Sequence, residues 1–328
     1  MKGKKSQLPF ISLLVVNYNG KEILKICLPS LLKLEYPKNK YEIIIVDNAS
    51  SDDSIEFLRK NYPKIKIIKN NQNLGYVGIN SGIKYCKGGY IYFLNNDLIL
   101  DKNCLLYLIK EIEKDSSIGM VAHTGINYYN DKLISGGTWV SKAMYCGHYP
   151  KNGTQSINEI PYMGAGIIKK RIIDLYGYLF DPDYFIYAED LDLGLRIRSL
   201  GMKSIIVRNA TCYHLHSVTS KEYSTPARNT YLLERNLLMT FFKIFSIKTI
   251  LIYMPYVFGF RIISIIRDIF RFKLNIAWSR IKAIIWISLN FKLIINKRSK
   301  IQKFRKATDS YILKIFSEDY LLKKPFLV

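Results

Sequence analysis

FISLLVVNYNG (residues 10–20) and YEIIIVDNASSDD (residues 41–53) are the two stretches that decide the fold. In each, aliphatic and β-branched residues run without alternation and then stop at turn formers, which predicts a short strand buried on both faces. The first strand spans Phe10–Val16, bounded by Pro9 and the Asn17-Tyr18-Asn19-Gly20 turn, and the second spans Tyr41–Val46. Between them, Ile23, Leu24, Cys27, Leu28, Leu31 and Leu32 recur at helical spacing and predict a helix over 21–34. Capping residues at 48–53 precede a helix over 54–61, and the pattern continues with a strand at 65–68, a helix at 76–85 and a strand at 90–94. This alternation predicts an α/β fold, a doubly wound and mostly parallel sheet flanked by helices.

Ligands of such sheets lie beyond the carboxyl ends of the strands. Three polar clusters fall at those ends: Asn17-Tyr18-Asn19, Asp47-Asn48 and Asn95-Asn96-Asp97. Asp97 follows a hydrophobic strand, where a lone carboxylate can hold Mg²⁺ or Mn²⁺ if a bound diphosphate supplies further oxygens. Its alternative role is to cap a helix over 102–113, which Asp101 can do equally well. Asp47 can accept a base N–H or a ribose hydroxyl, or simply close a turn. Tyr18 can stack on a nucleobase or pack.

Further along, Glu189-Asp190-x-Asp192 follows the aromatic stretch Tyr184-Phe185-Ile186-Tyr187. Carboxyl groups beside apolar walls gain basicity, as a general base needs. The duller alternative is acids favouring a helix start at Leu191–Leu200, paired with Arg196 or Arg198. His214 and His216, two apart on one strand face, could complete a metal site with Asp97. Gly164-Ala165-Gly166 allows close backbone approach to a ligand or serves as a turn. Walker A, G-x-S-x-G, H-E-x-x-H and G-x-G-x-x-G motifs are absent.

The chain has 328 residues, 49% apolar and 23% charged, enough for a large core and too apolar for wholesale disorder. Five cysteines without a C-x-x-C pair argue against a zinc site or a disulfide framework and fit a reducing compartment. The basic, then briefly apolar start ends in NYNG without a small-residue cleavage site, so it reads as a tail leading into the first strand. A cytoplasmic location is expected.

ISLLVVNYNG, YEIIIVDNASSDDS, NQNLGYVGINSGI, YIYFLNNDLILD, GAGIIKKRIIDLYGYLFDPDYFIYAEDLDLGLRIRSLG and ATCYHLHSVTS, in this order, resemble a family-2 inverting glycosyltransferase of the rhamnosyltransferase-like branch. The resemblance covers about residues 8–240 and includes YLLERNLLMTFFK at 231–243. It implies a GT-A fold, a nucleotide-sugar donor, a glycan or polyprenyl-linked acceptor and a Mn²⁺ or Mg²⁺ cofactor. By position in the motifs, Asn17 and Tyr18 would line the nucleobase pocket, and Asp47 would bond the base. Asn80, Asn95, Asn96 and Gly164 would belong to the nucleotide-sugar site. Asn95 stands where many members carry the first Asp of a D-x-D-like motif. Asp97, at the last position of that motif, would take the metal with His214. Asp190 matches the catalytic base, supported by Glu189 and Asp192. The Q-x-x-R-W motif of processive synthases is absent, which points to one sugar per encounter.

The net charge of +23 is uneven: Arg235–Val328 holds 19 Lys+Arg against 4 Asp+Glu, a net +15. A catalytic domain over 1–235 and a basic amphipathic helical region over 236–328 are therefore expected. The longest charge-free run there, Thr249–Phe260, has twelve residues. That is short of the roughly 20 needed to cross a bilayer, so no spanning helix is expected. Helices with one apolar and one cationic face lie in the interface of anionic membranes, here the inner face of the cytoplasmic membrane. A helical subdomain or a homo-oligomer contact is the other use of such faces. A basic polyanion-binding protein, or a nucleotide-sugar binder without catalysis, is the competing functional class. Interleaved long aliphatics suit lipid better than nucleic acid, and no base-reading module is present.

Overall fold

In the computed structural model, which describes residues 8–134, 137–149, 158–215 and 224–317, the first predicted strand is β1 (Ile11–Asn17). It is buried along nearly its whole length because it has parallel partners on both sides. Helix α1 (Lys21–Leu32) leads to β2 (Tyr41–Asp47), and α2 (Ser54–Asn61) leads to the outer strand β3 (Lys66–Lys69). The helix predicted over 76–85 is shorter: a tight turn at Tyr76–Ile79 passes into α3 (Asn80–Ile83). Gly75, Gly78 and Gly82 depress helix propensity there. Next come β4 (Tyr90–Asn95), β5 (Leu98–Leu100), α4 (Cys104–Ile112) and β6 (Ile118–Asn127).

Two small strands, β7 (Thr138–Val140) and β8 (Cys146–His148), form an antiparallel pair of their own. After them run β9 (Gly166–Lys169), α5 (Lys170–Tyr176), α6 (Glu189–Ser199) and β10 (Lys203–His214). The chain then becomes helical: α7 (Pro226–Ile244), α8 (Ile247–Phe270), α9 (Leu274–Leu289), α10 (Phe291–Phe304) and α11 (Asp309–Leu313). The main sheet has eight strands in the order β3-β2-β1-β4-β9-β6-β10-β5. Its β3-β2-β1-β4 half is parallel, and β9 pairs antiparallel with β4 and β6.

The chain divides into two compact units made of interleaved stretches. The first takes the residues up to Lys132, Ala165–Leu179 and the stretch from Val207 to Ser217, and the second takes Leu133–Gly164, Phe180–Ile206 and the chain from Val218 onward. In the first, the sheet core is Leu13, Leu14, Ile44, Ile45, Tyr92 and Phe93. In the second, α7 packs on α9 and α10, and α8 packs on α9.

By length and composition alone, helix α8 is long and apolar enough to cross a membrane, which the twelve-residue charge-free run does not register. Between Thr249 and Ile266 the one charged residue is Arg261, and its side chain is 1% exposed.

Candidate active site

The strand register brings the first unit's expected residues together. Asn17 lies opposite Asp47, and Val16 lies opposite Asn95, so the carboxyl ends of β1, β2 and β4 form one edge. Along that edge runs a chain of buried hydrogen bonds. Asn96 Nδ2 donates to Asn17 Oδ1 at 2.8 Å, and Asn17 Nδ2 donates to Asp47 Oδ1 at 3.0 Å. Gly20 is required beside them, because a Cβ there would sit 2.2 Å from Asn96 Nδ2 and 2.3 Å from Asn17 Oδ1. Asp47 is fully buried and also accepts from Ser50 Oγ at 2.6 Å and Ser50 N at 3.0 Å. The role visible for its carboxylate is to anchor the loop after β2. Tyr18 is half-buried next to this chain in sequence, and Asn95 is half-buried at the end of β4.

Asn80 opens α3, and its Oδ1 accepts the backbone N–H of Leu179 at 2.9 Å. It lines a cleft of about 630 Å³ with Lys69, Asn70, Lys84 and Lys170. Asn48, from the polar cluster after β2, and Asn70, which motif reading did not single out, brace the same region. Asn70 Nδ2 donates to Asn48 Oδ1 at 2.7 Å, and Asn48 Nδ2 donates to the carbonyl of Gly75 at 2.6 Å.

Asp97 does not cap the following helix. Asp101 braces that start instead, with its Oδ1 accepting from Asn103 N at 2.9 Å. Antiparallel pairing of β10 with β5 sets His214 opposite Leu98, one residue beyond Asp97. His214 Nε2 lies 3.0 Å from Asp97 Oδ2, and Leu215 N donates to the Asp97 carbonyl at 3.0 Å. Asp97 is largely buried, while His214 is partly open to solvent. A carboxylate and an imidazole in contact at a strand end fit a hard divalent cation whose remaining ligands are water and substrate phosphate oxygens. Among the described residues no group of three or more His, Cys, Asp and Glu could hold an ion by itself. His216 lies outside the described residues.

In the second unit, Asp190 stands in the first turn of α6. Its Oδ2 comes within 3.9 Å of where a Cβ of Gly164 would be. Burial pushes the Asp190 carboxyl up to about 6, against the pull of the Leu191 N–H, which donates to Oδ1 at 2.8 Å. Burial, then the neighbouring Asp190 charge, raise Glu189 well above the usual carboxyl range. Both shifts disfavour the charged form of the carboxyl. Asp192 differs from both: it is fully buried, paired with Arg196 at 2.8 Å and Lys243 at 2.7 Å. Expected to support the base, it anchors α6 through these two buried ion pairs. Arg198 pairs with Glu159.

The approach to α6 is strained. Phe185, Tyr187 and Ala188 all have positive φ, at 66°, 72° and 60°. For side chains with a Cβ this costs on the order of 1–2 kcal/mol each. A clamp from α7 holds the loop. Asn236 Nδ2 donates to the carbonyls of Tyr184 (3.2 Å), Ile186 (3.0 Å) and Tyr187 (2.7 Å). Arg235 Nη2 donates to those of Asp183 (2.7 Å) and Tyr184 (3.1 Å). Sequence reading noticed YLLERN as a motif but had no role for its Arg-Asn pair. A polar pair inside an apolar helical run was the available signal.

Residues 12–172 match the family model for Glycosyl transferase family 2. The chain is 35% identical over 125 residues to a poly(ribitol-phosphate) beta-glucosyltransferase of Bacillus spizizenii, covering 36% of this chain and 19% of that protein. It is 26% identical over 215 residues to a dolichyl N-acetyl-alpha-D-glucosaminyl phosphate 3-beta-D-2,3-diacetamido-2,3-dideoxy-beta-D-glucuronosyltransferase of Methanococcus voltae, covering 59% and 63%. The match thus spans less than two thirds of either relative. Among solved structures, GalNAc-T7 with UDP, GalNAc and Mn²⁺ superposes with a TM-score of 0.62 at 19% identity, covering 78% of this chain and 51% of that one. The shared architecture is the GT-A fold.

Proposed function

We propose that this chain, matched over residues 12–172 by glycosyl transferase family 2, is a metal-dependent inverting glycosyltransferase. It would take one sugar from a nucleoside-diphosphate donor, rhamnose being the first to try. The acceptor would be a glycan or lipid-linked hydroxyl in surface polysaccharide or glycoconjugate synthesis. The observation that carries the reading is the 3.0 Å pairing of Asp97 with His214 at a strand end. The dolichyl phosphate in the name of the Methanococcus voltae relative supports a lipid-linked acceptor, which the enzyme would meet at the inner face of the cytoplasmic membrane.

In this mechanism Asp97 and His214 would hold the divalent cation, Mn²⁺ or Mg²⁺, which when bound would supply positive charge beside the donor diphosphate. Asn17, Asn96 and Asp47, with Tyr18, shape the nucleotide end. Asp190 accepts the proton of the acceptor hydroxyl as its oxygen bonds to the anomeric carbon and the bond to the diphosphate breaks. Attack opposite the leaving group inverts the configuration. Burial disfavours the charged form of Glu189, and Asp190 is the carboxylate that takes the proton.

The test is a binding titration of UDP, dTDP and GDP with and without Mn²⁺, on the protein and its Asp97→Ala variant. Metal-dependent binding of one nucleotide, lost in the variant, is expected. Binding to none, or binding unchanged by Mn²⁺ and by Asp97→Ala, would overturn the reading.

A further inference from the structure

Helix α8 presents one face to protein and one to solvent, and the two differ sharply in chemistry. Its protein face carries charge. Arg261 Nε is 2.9 Å from Glu234 Oε2, and Arg261 Nη1 donates to the carbonyl of Ala143 at 2.9 Å. Asp268 Oδ2 meets Arg280 Nε at 2.9 Å, and Arg280 also pairs with Glu234. All four side chains are buried, so α8 is riveted to α7, α9 and the loop between β7 and β8. The outer face has no charge from Leu251 to Ile266: Leu251, Ile252, Ile262, Ile263 and Ile266 all stand in solvent. In a soluble protein, the side with charges is normally the one turned to water.

The turn from α8 into α9 continues this surface. Phe270 and Phe272 are 79% and 91% exposed, alternating with the exposed cations Arg271 and Lys273. On α9, Trp278 is exposed with Lys282 5.8 Å from its ring. Lys248 at the other end of α8 is exposed as well. Apolar side chains this large, edged by lysine and arginine, match an interface with acyl chains below and anionic headgroups beside it. The net +15 after residue 234 favours that partner over a second copy carrying the same charge.

We infer that the outer face of α8, with the Phe270–Phe272 turn and Trp278, docks in the plane of an anionic phospholipid bilayer. The helix lies along the interface. At 24 residues it is about 36 Å long, enough to cross, but crossing would carry the Arg261, Glu234, Arg280 and Asp268 network into hydrocarbon with it. The inference deepens the membrane part of the proposed function, and it is tested without donor, acceptor or metal.

The experiment is co-sedimentation of the full chain with vesicles of phosphatidylcholine, alone or mixed with phosphatidylglycerol. Binding to the mixed vesicles is expected, weakening with salt. The Ile263→Glu/Ile266→Glu variant, changed only on the exposed face, should bind at least about tenfold more weakly. Unaltered circular dichroism and an unaltered urea unfolding midpoint show that this variant is folded. Trp278 fluorescence should be quenched by brominated lipid, an effect lost in Trp278→Phe. On membranes from expressing cells, alkaline carbonate should release the protein. Absence of vesicle binding, or a double variant that binds as the parent does, would overturn the docking face. Resistance to carbonate would overturn the in-plane arrangement. Dimers in solution dissociated by the double variant, without vesicle binding, would assign the face to a second copy instead. A failed nucleotide titration with intact vesicle binding would discredit the transferase reading alone.

Discussion

At the residue scale, burial acts on two adjacent carboxyl groups. Glu189 and Asp190 are neighbours on one helix start, and burial raises both, Asp190 to about 6 and Glu189 well above the usual carboxyl range. A general base must be ionised to accept a proton, so the sign follows directly. The rate of transfer should be low below about 6 and rise with pH through that value, levelling off above it. A pH profile of kcat/KM checks this. Asp190→Asn should lose on the order of 10²- to 10⁴-fold in kcat with donor affinity unchanged and flatten the acidic limb. Normal transfer by that variant would remove Asp190 as the base. Much of this was legible in the sequence, where the Glu-Asp pair stood out behind an aromatic stretch. The burial of Asp192 was not, because a third acid three residues from Glu189 looks the same on paper whether it faces a substrate or a lysine.

At the element scale, the loop before α6 is held in a conformation its own residues disfavour. Three left-handed residues at 185, 187 and 188 would relax if released, and Asn236 binds three of the loop's carbonyls with one amide. Asn236→Ala should therefore cost about 2–3 kcal/mol of stability, through buried carbonyls left unsatisfied. Urea unfolding measures that loss. The same variant should lower kcat while leaving metal-dependent nucleotide binding intact, since the clamp and the Asp97–His214 pair belong to different units. Helix α6 is also fixed from below. Lys243, fully buried, bridges Asp192 and Asp181, and Lys297 reaches Asp181 as well. Burial raises Asp181, but the two ammonium groups outweigh it and hold its carboxyl well below the usual range. The helical run of 231–243 was plain in the sequence from its apolar spacing. That its polar members point at the loop and the acids depends on contacts about fifty to sixty residues away in the chain.

At the scale of the whole molecule, charge and apolar surface separate two kinds of association. A net +23 attracts any polyanion, but such attraction is screened over a Debye length of about 10 Å at 0.1 M salt. Retention on heparin should accordingly vanish as salt rises, whereas a part of the binding to anionic vesicles should persist through the apolar contacts of α8. Equal salt sensitivity of the two, measured by elution and by sedimentation, would return the basic helices to simple polyanion binding.

The sequence by itself determined the parallel strands, because hydrophobic runs ending in turn formers have few alternatives, and the clustering of Asn17, Asp47 and Asn96 followed from the rule that strand ends share an edge. It also determined that the last third of the chain is cationic and helical. The tertiary structure alone decided which polar groups meet: Asp97 with His214, 117 residues apart, and Lys243 with Asp192. It decided too that Arg261 faces protein while Ile263 and Ile266 face outward. Periodicity constrains which residues share a side of an element, but the neighbour that covers that side is chosen by long-range packing, and burial, with every charge state that depends on it, follows the neighbour.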